Sequence, residues 1–276
     1  MKALKALAVI LPLTVFFLAT SVPSQAQEMP IFDAHIHYSQ GDWDSLSSDQ
    51  AIAILEQAGV RKALVSSTPD DGTLKLYQVD PQRIVPFLRP YRTQGDMRSW
   101  HSDPAVRAYV EERLRRGIYK GIGEFHLSAA HVDAPVVKRF AELGATHGLF
   151  LHAHVDEVAV ERMLTLYPQA KILWAHAGMS SPIKEVGRLL DKYPHLWVEL
   201  SFRFDVAPDG TLNPEWRSLF LRHPDRFMVG TDTWVTSRWH MLADEAKATR
   251  AWLGQLPREL AEQIAYRNGE RLFGSP

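Results

Sequence analysis

The sequence predicts a single (β/α)₈ barrel of the α/β class. Two observations carry that prediction. Eight short apolar runs alternate with helical patterns along the chain, the rhythm of a parallel sheet covered by its crossover helices. Ionisable side chains then recur at the ends of five of those runs, at the rim where such a barrel gathers its chemistry.

The elements can be justified in order. Residues 31–37 form the first apolar run, and Ser48 opens a stretch whose Ile52, Leu55 and Ala58 recur at helical spacing before Gly59 stops it. The second run, 62–67, is followed by a weak pattern over 71–81 that suits only a short helix. The third, 84–88, leads to Asp103-Pro104, a helix start, with Val106, Val110 and Leu114 on one stripe and Gly117 at the end. Runs four and five cover 119–125 and 149–155, the latter preceding a helix over 158–166. Run six, 172–177, precedes a helix over 183–190; runs seven and eight cover 196–202 and 227–231, and 257–273 reads as a closing helix. Each run has strand length, and several are rich in Val, Ile and Phe, as buried strands are. The rival is a doubly wound open sheet. Gly121-Ile122-Gly123 lacks the third glycine of a dinucleotide fingerprint and opens no evident helix, so nothing supports it.

Composition sets the outer limits. With 276 residues, 46% hydrophobic and 23% charged, the chain is globular, and no linker divides it. It has no cysteine, which excludes disulfides, thiolate metal ligands and a cysteine nucleophile. A formal charge of −1 without like-charge runs gives no electrostatic grip on nucleic acid. Residues 1–26 read as a removable export signal: Lys2 and Lys5 precede a mostly apolar stretch over 6–19, and Ser24-Gln25-Ala26 is a small-x-small cleavage site. That stretch is shorter than the roughly 18 apolar residues of a membrane helix. The expected product is one domain over 27–276, starting at Gln27, exported without a stable membrane anchor and most simply periplasmic. The oligomeric state is not legible.

The run ends carry the chemistry. In Asp33-Ala34-His35-Ile36-His37 the two histidines are i and i+2, so both point to one strand face and can converge on one ion. Glu124, in Gly121-Ile122-Gly123-Glu124-Phe125-His126, lies in an apolar setting, where it must pair with a cation or stay protonated. Leu151-His152-Ala153-His154 repeats the i, i+2 histidine pair, Trp174-Ala175-His176-Ala177-Gly178 ends run six, and Gly230-Thr231-Asp232-Thr233 ends run eight. Histidine and carboxylate without thiolate suit Zn²⁺ first, with Mn²⁺ or Fe²⁺ as alternatives.

Taken in this order, Phe32-Asp33-Ala34-His35-Ile36-His37, Gly121-Ile122-Gly123-Glu124, Leu149-Phe150-Leu151-His152, Leu173-Trp174-Ala175-His176-Ala177-Gly178, Gly230-Thr231-Asp232 and Asn268-Gly269-Glu270-Arg271-Leu272-Phe273 resemble the amidohydrolase superfamily of metal-dependent barrel hydrolases, closest to its amidohydrolase-related branch. The resemblance spans essentially all of 27–276. It implies a metal held by His35, His37, a fifth-strand histidine and Asp232, with His152 the better match and His154 the alternative. It implies that His176 binds a second metal or contacts substrate and water, and that Asp232 also handles the proton of the nucleophilic water. Many two-metal relatives carry a carboxylated lysine at the end of strand four. Here Lys120 lies near that strand's start, and Glu124 is the residue that could bridge, so one or two ions fit.

The activity so implied is hydrolysis of an amide, ester, lactone or phosphoester of a small molecule by metal-activated water. Asp232 would act as base and then acid, and His176 would stabilise developing charge. Arg89, Arg92 and Arg203 follow runs three and seven and could hold anionic substrate groups. Trp43, Trp100, Trp234 and Trp239 fall in or near rim loops and could wall an apolar pocket. Two other readings share the fold. One is metal-dependent decarboxylation of an unsaturated acid, separable by carbon dioxide release. The other is an exported binding protein without catalysis, against which the full set of ligand types counts.

Overall fold

The computed structural model describes residues 28–274; the expected export segment 1–26 and its expected cleavage point before Gln27 lie outside them. Eight parallel strands run in the order β1-β2-β3-β4-β5-β6-β7-β8. They are β1 (Ile31–Ile36), β2 (Val60–Val65), β3 (Ile84–Leu88), β4 (Gly121–His126), β5 (Phe150–His154), β6 (Lys171–Trp174), β7 (Leu196–Glu199) and β8 (Phe227–Met228). Between and after them lie α1 (Ser48–Gln57), α2 (Asp71–Val79), α3 (Pro104–Leu114), α4 (Pro135–His147), α5 (Glu157–Leu166), α6 (Ile183–Lys192), α7 (Pro214–Arg222) and α8 (Thr236–Leu253). The chain ends in α9 (Arg258–Glu262), a π-helical turn over Gln263–Arg267, and α10 (Asn268–Phe273). The barrel reading holds.

The helix ends follow their sequence signals. Ser47 and Gln50 form a reciprocal cap on α1, Asp103 accepts from the Ala105 N–H ahead of Pro104, and Asp156 accepts from the Ala159 N–H at the start of α5. The weak second pattern is a nine-residue helix, α2.

The seam between β1 and β8 is closed partly by a side chain. The Ala34 N–H donates to the Val229 carbonyl at 2.9 Å and the Asp232 N–H to the His35 carbonyl at 2.7 Å. Buried Asp33 accepts from the Thr231 N–H at 3.1 Å and its hydroxyl at 2.6 Å. Desolvation lifts the Asp33 carboxyl to about 7 despite these bonds.

The interior is filled in two tiers. Phe32, Ala34, Leu64, Val85, Phe87, Phe150, Leu173 and Met228 make an apolar lower tier. Phe273 of α10 plugs it from below, its ring 4.8 Å from that of Phe150 and 5.5 Å from that of Phe87. Gly269 permits that approach, since a Cβ there would stand 2.3 Å from the Phe32 ring. Above this tier the inward positions change from hydrocarbon to imidazole and carboxylate: Phe87 gives way to Arg89, Phe150 to His152 and His154, and Trp197 to Glu199. Two strands reach the upper tier through register shifts, β1 between Asp33 and Ile36 and β4 between Gly123 and Phe125. The second shift removes the simple parity that would align Lys120 with Glu124.

Candidate active site

Four donor atoms meet at the top of the interior. His35 Nε2 and His37 Nε2 are 3.1 Å apart. Asp232 Oδ1 is 3.2 Å from His37 Nε2 and 3.7 Å from His35 Nε2. Glu124 Oε2 is 3.2 Å and 3.6 Å from the same two nitrogens. Four ligands at about 2.0–2.2 Å from one tetrahedral ion would stand roughly 3.3–3.6 Å from each other.

The hydrogen bonds outside this cluster fix which atoms face inward. His35 Nδ1 lies 2.9 Å from Glu199 Oε1, and His37 Nδ1 meets the Ser66 carbonyl. Each contact takes the ring proton on Nδ1 and leaves a lone pair on Nε2. Two lone pairs and two carboxylate oxygens then face one another, and Asp232 Oδ1 is buried with no hydrogen-bond partner. Such a set calls for positive charge at its centre, a proton on an imidazole or a metal cation. The charge count points the same way: Glu124, Asp232 and Glu199 surround His35, against the single guanidinium of Arg89. Burial alone would make the His35 imidazole less basic, yet the three carboxylates raise it well above the ordinary histidine range. Glu124 and Asp232 are held well below the carboxylate range by His35 with Arg89 or His37, against the pull of burial. The residues present therefore fit a divalent cation.

Every ligand candidate named from the sequence reaches this space. His152 is fully buried, neither ring nitrogen has a partner, and its ring centroid is 4.7 Å from that of His35. Burial first, and His35 second, keep it well below the ordinary histidine range, so it stays neutral and able to ligate. Donor atoms of His35, His152 and Glu199 lie within 4.8 Å of one another. His154 is less buried and is tied to Glu124 Oε1 at 2.7 Å. His176 places Nε2, also without a partner, 3.6 Å from Glu124 Oε1 and 3.9 Å from Asp232 Oδ2. Its Nδ1 rests 2.7 Å from the Ser201 hydroxyl.

One functional candidate is absent from the sequence reading. Glu199 is fully buried at the end of β7, where Oε1 also accepts the His176 N–H at 2.6 Å and Oε2 accepts the Ser201 N–H at 2.8 Å. Burial would raise its pKa, but the imidazoles of His35 and His176 bring it down to about 2. Gly230 leaves it room, since a Cβ there would fall 2.5 Å from Glu199 Oε2. The available signal was the one that marked Glu124: a lone acid inside an apolar run.

The arginines and tryptophans divide. Arg89 lies in the site, donating to Glu124 Oε2 at 2.7 Å and to the Glu124 carbonyl at 3.2 Å. Arg92 is taken up by Asp96 and Asp103, and Arg203 by Asp205 and the Ala177 carbonyl. Both organise rim loops. Trp100 and Trp239 are buried scaffold, the latter donating to the His37 carbonyl at 3.0 Å. Trp43 is half-buried and donates to the Tyr38 carbonyl at 3.3 Å. Of the four, Trp234 alone borders the cavity over the donor cluster, and it is 59% exposed. That cavity, of about 380 Å³, is walled by Met97, Met179, Phe202 and Trp234 and floored by His37, Glu124 and Asp232.

A family model described as Amidohydrolase matches residues 32–275. Solved structures share the fold at low identity. A probable 2-pyrone-4,6-dicarboxylic acid hydrolase from Acinetobacter baumannii, with citric acid bound, is 15% identical, with a TM-score of 0.61 over 90% of this chain and 100% of its own. An amidohydrolase from Burkholderia multivorans with bound zinc is 16% identical, also at 0.61, with the same coverage. N-isopropylammelide isopropylaminohydrolase from Burkholderia multivorans is 14% identical at 0.55, over 89% of this chain and 74% of its own. No curated protein matches.

Proposed function

Because this chain belongs to the amidohydrolase family of metal-dependent hydrolases, we propose that it hydrolyses a small ester or lactone bearing carboxylate, and that it does so after export and removal of residues 1–26. One observation carries the catalytic reading: two imidazole lone pairs and two carboxylate oxygens, 3.1–3.7 Å apart where measured against the imidazoles, at the floor of an apolar-walled cavity. The Acinetobacter structure supports the bond type by likeness, since a 2-pyrone is a cyclic ester. The zinc in the Burkholderia structure supports zinc as the first metal to try.

His35, His37, Asp232 and His152 would hold the principal ion, with Glu124 able to share a second one with His176. A bound divalent ion supplies Lewis acidity to water and to the carbonyl under attack. With Oδ1 turned to the ion site, Asp232 would take the proton of the attacking water through Oδ2 and return it to the leaving oxygen. His176 is made more basic by Glu199 and Glu124 against the effect of burial; with a single ion bound it would present Nε2–H to the oxygen that gains charge, and with a second ion Nε2 would be a ligand instead. Arg89 fixes the Glu124 carboxylate, and the apolar wall limits access of bulk water.

The test is a screen of lactones, esters, amides and phosphoesters with zinc-loaded protein, alongside metal analysis. Chelator-sensitive opening of a lactone or ester is expected, falling by roughly 10²-fold or more in Asp232→Asn. Carbon dioxide release without hydrolytic product would transfer the reading to decarboxylation. A protein that takes up no metal would overturn both. Mass spectrometry of exported material should give a chain starting at Gln27, and an intact Met1 on membrane-bound protein would remove the export reading.

A further inference from the structure

The reaction cavity has a polar wall that the hydrolytic mechanism does not use. His126, at the end of β4, borders both that cavity and a neighbouring one of about 530 Å³. It is clamped from several directions. Its backbone N–H donates to the Tyr91 hydroxyl at 2.8 Å, and its carbonyl accepts from Trp100 Nε1–H at 2.8 Å. Its ring stacks on that of His154 at 4.2 Å. Its Nδ1 lies 3.2 Å from the same Tyr91 oxygen. Among the described residues, Nε2 has no hydrogen-bond partner.

The Tyr91 proton decides which ring nitrogen carries hydrogen. A phenolic hydroxyl has one proton to donate. Tyr91 is fully buried, and its oxygen already accepts the His126 N–H. The one acceptor it meets among the described residues is His126 Nδ1. A buried donor left without an acceptor is costly, so the Tyr91 proton goes to Nδ1. A charged His126 ring, or one with hydrogen on Nδ1, would strand that proton. The ring is therefore neutral, with its hydrogen on Nε2.

This assignment removes a competing use of the same corner. Donor atoms of Glu124, His126 and His154 lie within 4.8 Å of one another, as in a metal site. With Nδ1 occupied by Tyr91 and Nε2 protonated, His126 has no lone pair for an ion. His154 Nδ1 is itself tied to Glu124 Oε1 at 2.7 Å. What remains is a fixed N–H beside a carboxylate. The carboxylate repels an anion, and the N–H repels another donor, so the matching group is an uncharged oxygen.

We propose that His126 is a substrate-binding residue that presents Nε2–H to an uncharged oxygen of the substrate away from the scissile bond, and that Tyr91 is the positioning residue that fixes it in this form. The inference rests on the hydrolase reading and adds to its substrate a carbonyl or ether oxygen beyond the reacting group.

Two measurements test it, and neither needs turnover. Long-range proton–nitrogen NMR correlations should show hydrogen on Nε2 of His126, and Tyr91→Phe should lose that preference with zinc content unchanged. In calorimetry on zinc-loaded protein, levulinate is compared with isocaproate, and γ-acetylbutyrate with isoheptanoate. Each pair shares a carboxylate for the metal and differs by a carbonyl oxygen in place of a methyl group. One keto acid should bind about three- to tenfold more tightly than its partner, the scale of one hydrogen bond. His126→Asn, whose amide reaches only the Nδ1 position, should bring that ratio to about one. His126→Gln, whose amide reaches the Nε2 position, should retain part of it. Hydrogen found on Nδ1, equal affinities in both pairs, a preference that survives His126→Asn, or one zinc fewer per folded His126→Asn chain overturns the proposal. Keto-acid preference without hydrolysis of any ester or lactone leaves His126 as a donor and defeats the hydrolase reading; hydrolysis without the preference does the reverse.

Discussion

Replacing Glu199 with glutamine tests whether the strand-seven carboxylate sets up His35 as the metal ligand we propose. Glu199 Oε1 accepts from His35 Nδ1 at 2.9 Å, from the His176 N–H at 2.6 Å and from the Ser201 hydroxyl at 3.1 Å. A glutamine carbonyl could keep those three bonds. Its amide NH₂ would then face the Ser201 N–H, which Oε2 now accepts at 2.8 Å, so one buried bond becomes donor against donor. That loss costs about 1–3 kcal/mol of metal-free stability. Removing the charge also makes His35 a poorer donor, and such partners of ligating histidines contribute about 10–100-fold to metal affinity. Competition with a chromophoric chelator measures the affinity, and thermal unfolding measures the stability. The pH dependence gives an independent check. With its pKa at about 2 against 4.5 for the free side chain, Glu199 stabilises the fold above pH 4.5, and that contribution is lost as pH falls towards 2. The glutamine variant should lack that portion of the acid-side loss. Zinc affinity within twofold of the parent, with unchanged stability, would refute a positioning role.

Three further outcomes follow from the same geometry. His35→Ala combined with His37→Ala should abolish most metal uptake, since two of about four ligands go; elemental analysis checks it. His152→Ala should weaken metal binding more than His154→Ala does, because His152 has both nitrogens unpartnered while His154 is bonded to Glu124; parallel titrations decide, and the reverse order would make His154 the ligand. Trp100→Ala should destabilise the fold by about 3–5 kcal/mol, because its buried ring stacks on Phe140 at 5.5 Å and its Nε1–H donates to the His126 carbonyl at 2.8 Å; chemical denaturation measures it.

The fold was legible because the barrel repeats one pattern eight times, and each buried parallel strand announces itself as a continuous apolar run. The ends of those runs were less legible. The apolar patterns extend to Ala177, Phe202 and Thr231, whereas β6, β7 and β8 stop at Trp174, Glu199 and Met228. Hydrophobicity continues past the point where the backbone leaves the sheet, because the rim is packed too. The candidate histidine ligands were readable from i, i+2 spacing on β1 and β5. Glu124 faces inward through a register shift that no period-2 count supplies. Glu199 touches the cluster only through His35, His176 and Ser201, so no spacing motif marks it. Arg92 and Arg203 show the opposite error: an arginine after a strand looks like an anion holder until its carboxylate partners are seen.

The backbone explains why the rim is rigid enough to hold so crowded a charge cluster. Of the non-glycine residues at positive φ among the described residues, His176 (55°), Ala177 (47°), Met179 (59°), Phe202 (57°) and Asp232 (53°) lie just past the ends of β6, β7 and β8, and Asp209 alone lies elsewhere. Each left-handed residue costs about 1–2 kcal/mol, so nearby contacts must hold them. Those contacts are specific. The His176 N–H is bound by Glu199 and the Asp232 N–H by the His35 carbonyl. Arg203 grips the Ala177 carbonyl at 2.9 Å, and Arg238 grips the Asp232 carbonyl at 2.7 Å while its guanidinium lies over the Phe202 ring. The bends end the strands early, and they also place the His176 and Asp232 side chains over the interior instead of between strand and helix. Strain of this kind persists only where the surroundings over-determine it. Here the groups that hold it are the charged residues around the donor cluster, so the local backbone cost and the positioning of the candidate catalytic residues have one physical origin.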